Sequence, residues 1–353
     1  MLVVIKIGSN VLTGDDTFLD VDRVTSLVSQ VAMIKAQGHD VVLVSSGAVA
    51  SGRSIVSMES VQDIVSRRQV LASVGQVKLI STYANLFAAQ GLTCAQVLVT
   101  KEDFRDKRHY ANMENCLHTL LRNKIIPIIN ENDVISVTEL MFTDNDELAG
   151  LVASMLNASK LVILTNVDGI YDGPPSEAGS QRITDISVKD TAALRGITTV
   201  KSSFGRGGML TKSTIARKLA MLGIPVHIAD GTMDNVLPRL FSGEDLGTRF
   251  VPEKGSSRQK KYIAHADGAV MGEVRIDDGA KEALARATPT SLLPVGVTQV
   301  KGTFRAGDVI RILDAKGRAI GLGKAQFHSE KADELKGRKN QRPLVHYDFL
   351  FLF

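Results

Sequence analysis

Six short apolar runs restrict what this chain can become: Leu2–Ile7, Val41–Val44, Ala95–Val99, Ile125–Ile129, Leu161–Leu164 and Val226–Ala229. Each is four to six residues long and almost continuously apolar, with many β-branched side chains. A strand that is apolar on both faces must be covered on both, which predicts a mostly parallel sheet between two layers of helices. The segments between the runs carry helical spacing. In 21–36, Val24, Leu27, Val28, Val31 and Ile34 recur three or four apart, and Gly38 follows as a stop. The expected fold is therefore a three-layer α/β sandwich with an open, mostly parallel sheet. Such sheets bind ligands beyond the carboxyl ends of their strands. Lys6, Ser45-Ser46-Gly47, Asn130–Asp133 and Thr165-Asn166 all lie at such ends.

The pattern changes near residue 252. The polar run 252–261 reads as a linker, and short strands with Gly-rich turns follow it, together with a helix over 281–287. This predicts a first domain over 1–251, a linker over 252–257 and a small C-terminal β-barrel over 258–353. The apolar tail 347–353 is expected to complete the last strand. Val134–Phe142 reads as a small hairpin or flap, and Gly173–Gly179 as a loop. The net charge of +4 is too small for a general nucleic-acid coat. Cys94 and Cys116 have no metal spacing and read as buried reduced thiols. The seven histidines likewise show no metal-ligand spacing. Met1 is followed at once by the first strand, so no signal peptide is expected. No run of about 18 apolar residues is present, so no membrane span is expected. The expected location is the cytoplasm.

Two lysines stand out. Lys6 interrupts the first apolar run just before Gly8 and Ser9, and burial of a lysine is costly unless it is paired. Lys212 ends the segment Gly205-Arg206-Gly207-Gly208-Met209-Leu210-Thr211-Lys212. The backbone N–H groups of such loops can cradle a phosphate. Between them in sequence lie Asn130-Glu131-Asn132-Asp133 and Asp144-Asn145-Asp146, driven against the sheet by the run before them. Two lysines on phosphate-compatible loops with carboxylates between them describe a phosphoryl-transfer site. No G-x-x-x-x-G-K-[ST] occurs, so the site is not a Walker A loop. Blander readings stand beside this one: an edge lysine for Lys6, helix capping by Ser45 or Ser46, and a solvated turn for the Asp/Asn cluster.

These residues together resemble the amino-acid kinase family, and within it the glutamate 5-kinases. The resemblance runs from the opening Val4-Ile5-Lys6-Ile7-Gly8-Ser9-Asn10 through Val44-Ser45-Ser46-Gly47-Ala48, Val74-Gly75-Gln76 and the two acidic clusters to Gly207-Gly208-Met209 and Lys212. The C-terminal part resembles a PUA domain in Leu293-Pro294-Val295-Gly296-Val297 and in 302–310. The resemblance implies ATP-dependent phosphorylation of the γ-carboxylate of L-glutamate, the first step of proline biosynthesis, with Mg²⁺ carried mainly by the ATP phosphates. It implies Lys6, Lys212 and Asp146 as catalytic, with Asp146 holding the lysines by ion pairing. Ser46, Gly47, Asp133 and Asn145 are implied for substrate. Lys6, Gly8, Ser9, Thr165, Asn166 and the segment Arg206, Gly207, Gly208, Met209, Leu210, Thr211, Lys212 are implied for nucleotide. The chain departs from the family at Asn166, Arg206 and Leu210, where Asp, Thr and Ser are usual.

The chemistry suits these residue types. A side-chain carboxylate with a pKa of about 4.3 is ionised at neutral pH and needs no general base. Its obstacle is charge, since each unit-charge repulsion at roughly 4 Å costs on the order of 4 kcal/mol at an effective dielectric of about 20. Two lysines and Mg²⁺ offset this. The resemblance further implies feedback inhibition by proline, with Asp103 and Glu139 in the segments where its control is expected, and a homo-oligomer. The lability of an acyl phosphate motivates handover to glutamate-5-semialdehyde dehydrogenase. The alternatives are another kinase of the same fold, acting on acetylglutamate or uridylate, and an RNA-binding PUA protein. The modest charge excess speaks against RNA.

Overall fold

The computed structural model describes residues 1–353 except 14–17, 59, 137–141, 143, 174–176, 178, 189–207, 254, 256, 267–269 and 287. The expected flap over 134–142 and loop over 173–179 fall largely outside the described residues, as do Glu139, Arg206 and Gly207. The chain divides into two compact units, Met1–Gly255 and Ser256–Phe353.

The first unit is built on an eight-stranded sheet. Its strands are β1 Leu2–Ile7, β2 Asp40–Ser45, β3 Cys94–Val99, β4 Ile126–Glu131, β5 Lys160–Thr165, β8 Asp185–Ser187, β9 Val226–Asp230 and β10 Thr248–Val251, in the order β3-β4-β2-β1-β5-β9-β10-β8. A separate two-stranded hairpin joins β6 Ile170–Tyr171 to β7 Arg182–Ile183. Pairing is parallel from β3 to β9, and β10 runs antiparallel to β9. All six predicted runs are strands. The helices are α1 Ser9–Thr13, α2 Val21–Ala36, α3 Ala48–Arg53, α4 Ile64–Ala89, α5 Lys101–Arg105, α6 Lys107–Arg122, α7 Asn145–Met155, α8 Met209–Met221 and α9 Val236–Phe241.

Side chains alternate across each strand. Val4, Val42, Val44, Leu161 and Ile163 pack with Leu117, Leu148 and Ala216 of α6, α7 and α8. Val3, Ile5, Ile7, Leu43 and Leu164 pack on the opposite face with Val28, Tyr83 and Leu237 of α2, α4 and α9. Lys6 has the parity of Val4, so its side chain leaves β1 toward α7. Strand β3 is the sheet's edge, which leaves Cys94 half-buried, while Cys116 is exposed on α6. This corrects the expectation that both thiols are buried.

Two glycines set the approach of α3 to α4. A Cβ on Gly75 would lie 1.8 Å from the Ala48 carbonyl oxygen, and one on Gly52 would lie 2.0 Å from that of Leu71. Gly47, with φ of 105°, turns the chain from β2 into α3. Gly47 is the N-cap of α3, and no side chain caps it. The Ser45 hydroxyl instead donates to the Ser46 carbonyl and meets the Tyr83 hydroxyl at 2.9 Å. The capping reading for Ser45 and Ser46 therefore does not hold.

The second unit is a five-stranded sheet of β11 Val270–Ile276, β12 Val297–Lys301, β13 Val309–Leu313, β14 Ala319–Lys324 and β15 Leu350–Leu352, in the order β12-β11-β13-β14-β15. Its core includes Val274, Ile276, Phe304, Ile310 and Ile312. The tail supplies β15, which pairs with β14. Two helices depart from expectation. Arg258–Ala264 is helical, with the Ser257 hydroxyl accepting from the Lys260 N–H, so the polar run 252–261 is not all linker. The inserted helix covers Asp278–Leu284 rather than 281–287, because Asp277 caps it by accepting from the Ala280 N–H. Asp277-Asp278-Gly279, whose composition suits a turn, is a helix start.

Candidate active site

Lys6, Asp146 and Lys212 converge at the carboxyl end of the sheet. The Lys6 Nζ lies 2.6 Å from Asp146 Oδ1, and the Lys212 Nζ lies 2.9 Å from Oδ2. One carboxylate thus bridges two ammonium groups that are far apart in the chain. Asp146 is fully buried, and both lysines are buried beside it. Both contacts join opposite charges at hydrogen-bonding distance.

Local structure explains the convergence. Lys6 leaves β1 between Val44 and Ile163, its register partners on β2 and β5. Asp146 sits in the first turn of α7, where the helix dipole favours a negative charge. Lys212 belongs to the first turn of α8, which Gly208 caps, so Met209–Lys212 are helical rather than a loop. Gly8 lies beside Lys6. A Cβ there would stand 3.1 Å from the Leu164 carbonyl oxygen and 3.5 Å from the Lys6 Nζ.

Asp144 is the N-cap of α7. Its Oδ1 accepts the N–H groups of Asp146 and Glu147, and its buried Oδ2 has no partner among the described residues. Burial and the neighbouring Asp146 carboxylate push the Asp144 carboxyl up to about 7, against the pull of Lys6 and Lys212. Burial pushes Asp146 the same way, but the two ammonium groups more than reverse it and leave Asp146 at about 2. Two carboxylates separated by one residue thus have opposite tendencies.

A cavity of about 370 Å³ adjoins this cluster, with Ser9, Ser46, Gly47, Asp133, Asp144 and Asn145 in its wall. The Asn145 side-chain amide donates to the Ser46 hydroxyl at 2.8 Å and to Asn130 Oδ1 at 3.1 Å. Asn130 in turn donates to Gln76 Oε1 of α4 at 2.9 Å. Asp133 accepts from Arg68 of α4, which also borders the cavity. Thr165 is buried at the end of β5, Asn166 is exposed beyond it, and Leu210 is exposed on α8. None of these three residues lines the cavity. Arg68 and Tyr83 of α4 were missed by sequence reasoning, and Gln76 stood only within a resembling motif without a role, because nothing local marks a helical arginine or glutamine as reaching a turn 54 to 65 positions away.

Among the described residues, no group of three or more His, Cys, Asp or Glu side chains could hold a metal ion. No described helix is long and apolar enough to cross a membrane.

Comparison with known proteins identifies the family. Residues 1–230 match the model of the amino acid kinase family, and residues 272–347 match the PUA domain. The glutamate 5-kinase of Bacteroides thetaiotaomicron is 48% identical over 99% of this chain and 98% of its own length. That of Chlorobaculum tepidum is 47% identical over 99% and 97%. Among solved structures, a UMP kinase from Bacillus anthracis superposes with a TM-score of 0.50 at 14% identity, covering 71% of this chain and 96% of its own. That likeness concerns the fold alone. A buried pair of lysines on one carboxylate, set at the carboxyl ends of a parallel sheet, and family matches over both units lead to one conclusion: the chain belongs to the amino acid kinase family and carries a C-terminal PUA domain.

Proposed function

We propose that the chain transfers the terminal phosphoryl group of ATP to the γ-carboxylate of L-glutamate, forming L-glutamyl 5-phosphate in the first step of proline biosynthesis. The observation that carries this reading is the bridge from Asp146 to both Lys6 and Lys212. The names of the full-length relatives support glutamate as the acceptor.

The acceptor carboxylate arrives ionised and needs no base. The protein's task is to hold two anions together and to stabilise the charge on the group in flight. Lys6 and Lys212 are fixed before substrate arrives, because one lies on a central strand and the other in the first turn of a helix, and Asp146 grips both. Such preorganised donors reorganise little during reaction. Ser46, Gly47 and Asn145 position the acceptor, and Asp133 takes its α-ammonium. Gly8, Ser9, Thr165, Asn166 and 206–212 serve the nucleotide, with 1–251 as the kinase domain and 258–353 as the PUA domain. Mg²⁺ usually rides on substrate phosphates with few protein ligands. Asp144, in the cavity wall with its Oδ2 unpartnered among the described residues, would be the carboxylate to hold it. Bound there, Mg²⁺ would neutralise phosphate charge.

The reading extends to partners. Proline acts as a feedback inhibitor overlapping the glutamate site. Asp103, expected to bear on its control, closes a capping box with Thr100 and accepts from His109. A homo-oligomer is supported by apolar side chains exposed on α4 and the edge strand, including Ile64, Val77 and Leu98. The enzyme is cytoplasmic and hands its labile acyl phosphate to glutamate-5-semialdehyde dehydrogenase.

A coupled ADP-release assay across L-glutamate, N-acetylglutamate, L-aspartate and UMP tests the reading. Glutamate alone should give turnover. Preferential turnover of any other acceptor overturns it.

A further inference from the structure

The cavity wall contains one pair of opposite charges that phosphoryl transfer does not use. Arg68 donates from Nε at 3.0 Å and from Nη2 at 2.7 Å to Asp133, and both bonds end on the same oxygen, Oδ1. A pair that serves only to hold itself together is commonly a fork, with two nitrogens on two oxygens. Here Asp133 Oδ2 and Arg68 Nη1 make no bond among the described residues, although the Asp133 side chain is only 8% exposed. Both residues border the cavity. The pair therefore retains one anionic and one cationic contact point, side by side on residues that border the cavity.

A free α-amino acid carries an ammonium and a carboxylate on one carbon. A wall that receives it must offer an anion and a cation next to each other. The γ-carboxylate must approach Lys6 and Lys212, so those lysines cannot also serve the α-carbon. We infer that Arg68 is a specificity-determining residue that takes the substrate's α-carboxylate while Asp133 takes the α-ammonium. The inference rests on the glutamate reading above.

The arrangement also explains why Arg68 and Asp133 touch when no ligand is present. A buried carboxylate without a partner is costly, and the arginine supplies one until substrate arrives. A purely structural clamp is the competing explanation, but the clamp exists without Arg68. The next residue, Gln69, already ties α4 to the same turn by donating to the Val134 carbonyl at 2.6 Å. The third-exposed Arg68 side chain is not needed for that anchorage.

The test compares L-glutamate with L-isoglutamine, its α-amide, which keeps the α-ammonium and the γ-carboxylate but loses the α-carboxylate charge. Full-length wild type, Arg68→Met and Arg68→Lys are assayed by ADP release, with competition against glutamate where turnover of the amide is slow. Wild type should favour glutamate by about 100-fold or more in kcat/KM, since a site built for a charged group rejects the analogue that lacks it. Arg68→Met should raise the KM for glutamate by about 10- to 100-fold with kcat within about threefold, the loss of one charge-assisted contact. Its KM for the α-amide should stay within about threefold, so the preference collapses, and Arg68→Lys should fall between. An equal loss for both substrates in Arg68→Met makes Arg68 only a clamp for Asp133 and overturns the inference, as does an unchanged preference. A wild type that turns over neither substrate overturns the functional reading itself, whereas failure of the ratio alone leaves that reading standing.

Discussion

Replacing Asp146 with Asn tests the centre of the site. The side chain keeps its shape and loses its charge. Two ammonium groups now lie 2.6 and 2.9 Å from its oxygens, with side-chain exposures of 6% and 11% around a carboxylate at 0%. At roughly 3 Å and an effective dielectric of about 20, each attraction is on the order of 5 kcal/mol before desolvation is counted. An amide can accept from one lysine, but it turns its NH₂ toward the other. One buried cation is then unpaired, which costs about 3–5 kcal/mol of stability. The transferring group also loses one positioned donor, worth about 10²–10³ in kcat. Asp146 is not part of the cavity wall, so the KM for glutamate should change by less than about fivefold. ADP release at saturating substrate reads kcat, and urea titration with and without MgATP reads stability. Nucleotide should stabilise Asp146→Asn more than wild type, because its phosphates replace the missing anion between the lysines. A variant retaining more than about a tenth of wild-type kcat would refute the idea that this carboxylate holds the lysines for transfer.

The remaining predictions concern the frame and the titrating groups. Gly75→Ala would drive a methyl against the Ala48 carbonyl, backbone against backbone, and should lower the urea-derived stability by at least about 3 kcal/mol; a near-neutral variant would show that the α3–α4 crossing can give way. His227 is pushed down to about 4 by burial, Lys160 and Arg249. The unfolded chain takes its proton near pH 6.5 while the folded chain refuses it until about 4, so stability should fall as pH drops through that window, by on the order of 2 kcal/mol after allowance for partial exposure. His227→Gln should flatten the decline, and an unchanged slope would assign it to other groups. Asp144 has the opposite sign of problem for a carboxylate. Its folded value near 7 lies above the unfolded 3.8, so the folded chain loses stability as pH rises from 3.8 through 7. Asp144→Asn keeps a good N-cap and should be the more stable protein at pH 8; a less stable variant would mean that the charged form is favoured there.

Legibility in the sequence tracked how local each cause was. The six strands were readable because continuous apolar runs have few other uses, and only edge strand β3, with Gln96 and Leu98 exposed, departs from two-sided burial. Lys6 was conspicuous as a charge within an apolar run, Lys212 as the end of a glycine-rich segment, and Asp146 as a member of the Asp144-Asn145-Asp146 cluster. The helix start at Asp278 was misplaced because Asp and Gly favour caps and turns alike. Arg68 gave no signal at all, since an arginine on an amphipathic helix is ordinarily a solvated one, and its partner lies 65 residues away. Backbone pattern is written locally, but charge pairing between elements is decided by topology.

The long helix α4 shows where that topological information is spent. Gln69, Gln76 and Tyr83 recur every seven residues, so they share one face of the helix. That face carries polar groups where the rest of the helix buries Leu71, Leu79 and Phe87. Gln69 holds the turn after Asp133, Gln76 holds Asn130, and the Tyr83 hydroxyl, pushed up to about 12 by burial, stays neutral and meets Ser45. Each partner sits at or next to the carboxyl end of a strand, and two of them lead directly to Asn145 and Ser46. The Ser45–Tyr83 pair is the buried member of this set, and a buried polar group without a partner costs about 1–3 kcal/mol, so these two hydroxyls stay matched. The glycine crossing at Gly75 sets the depth at which the helix delivers those groups. The cavity wall is therefore supported from behind by α4, while Lys6 is held by the central strand β1 and Lys212 by the first turn of α8, and these supports meet at Asn145 and Asp146 in the first turn of α7.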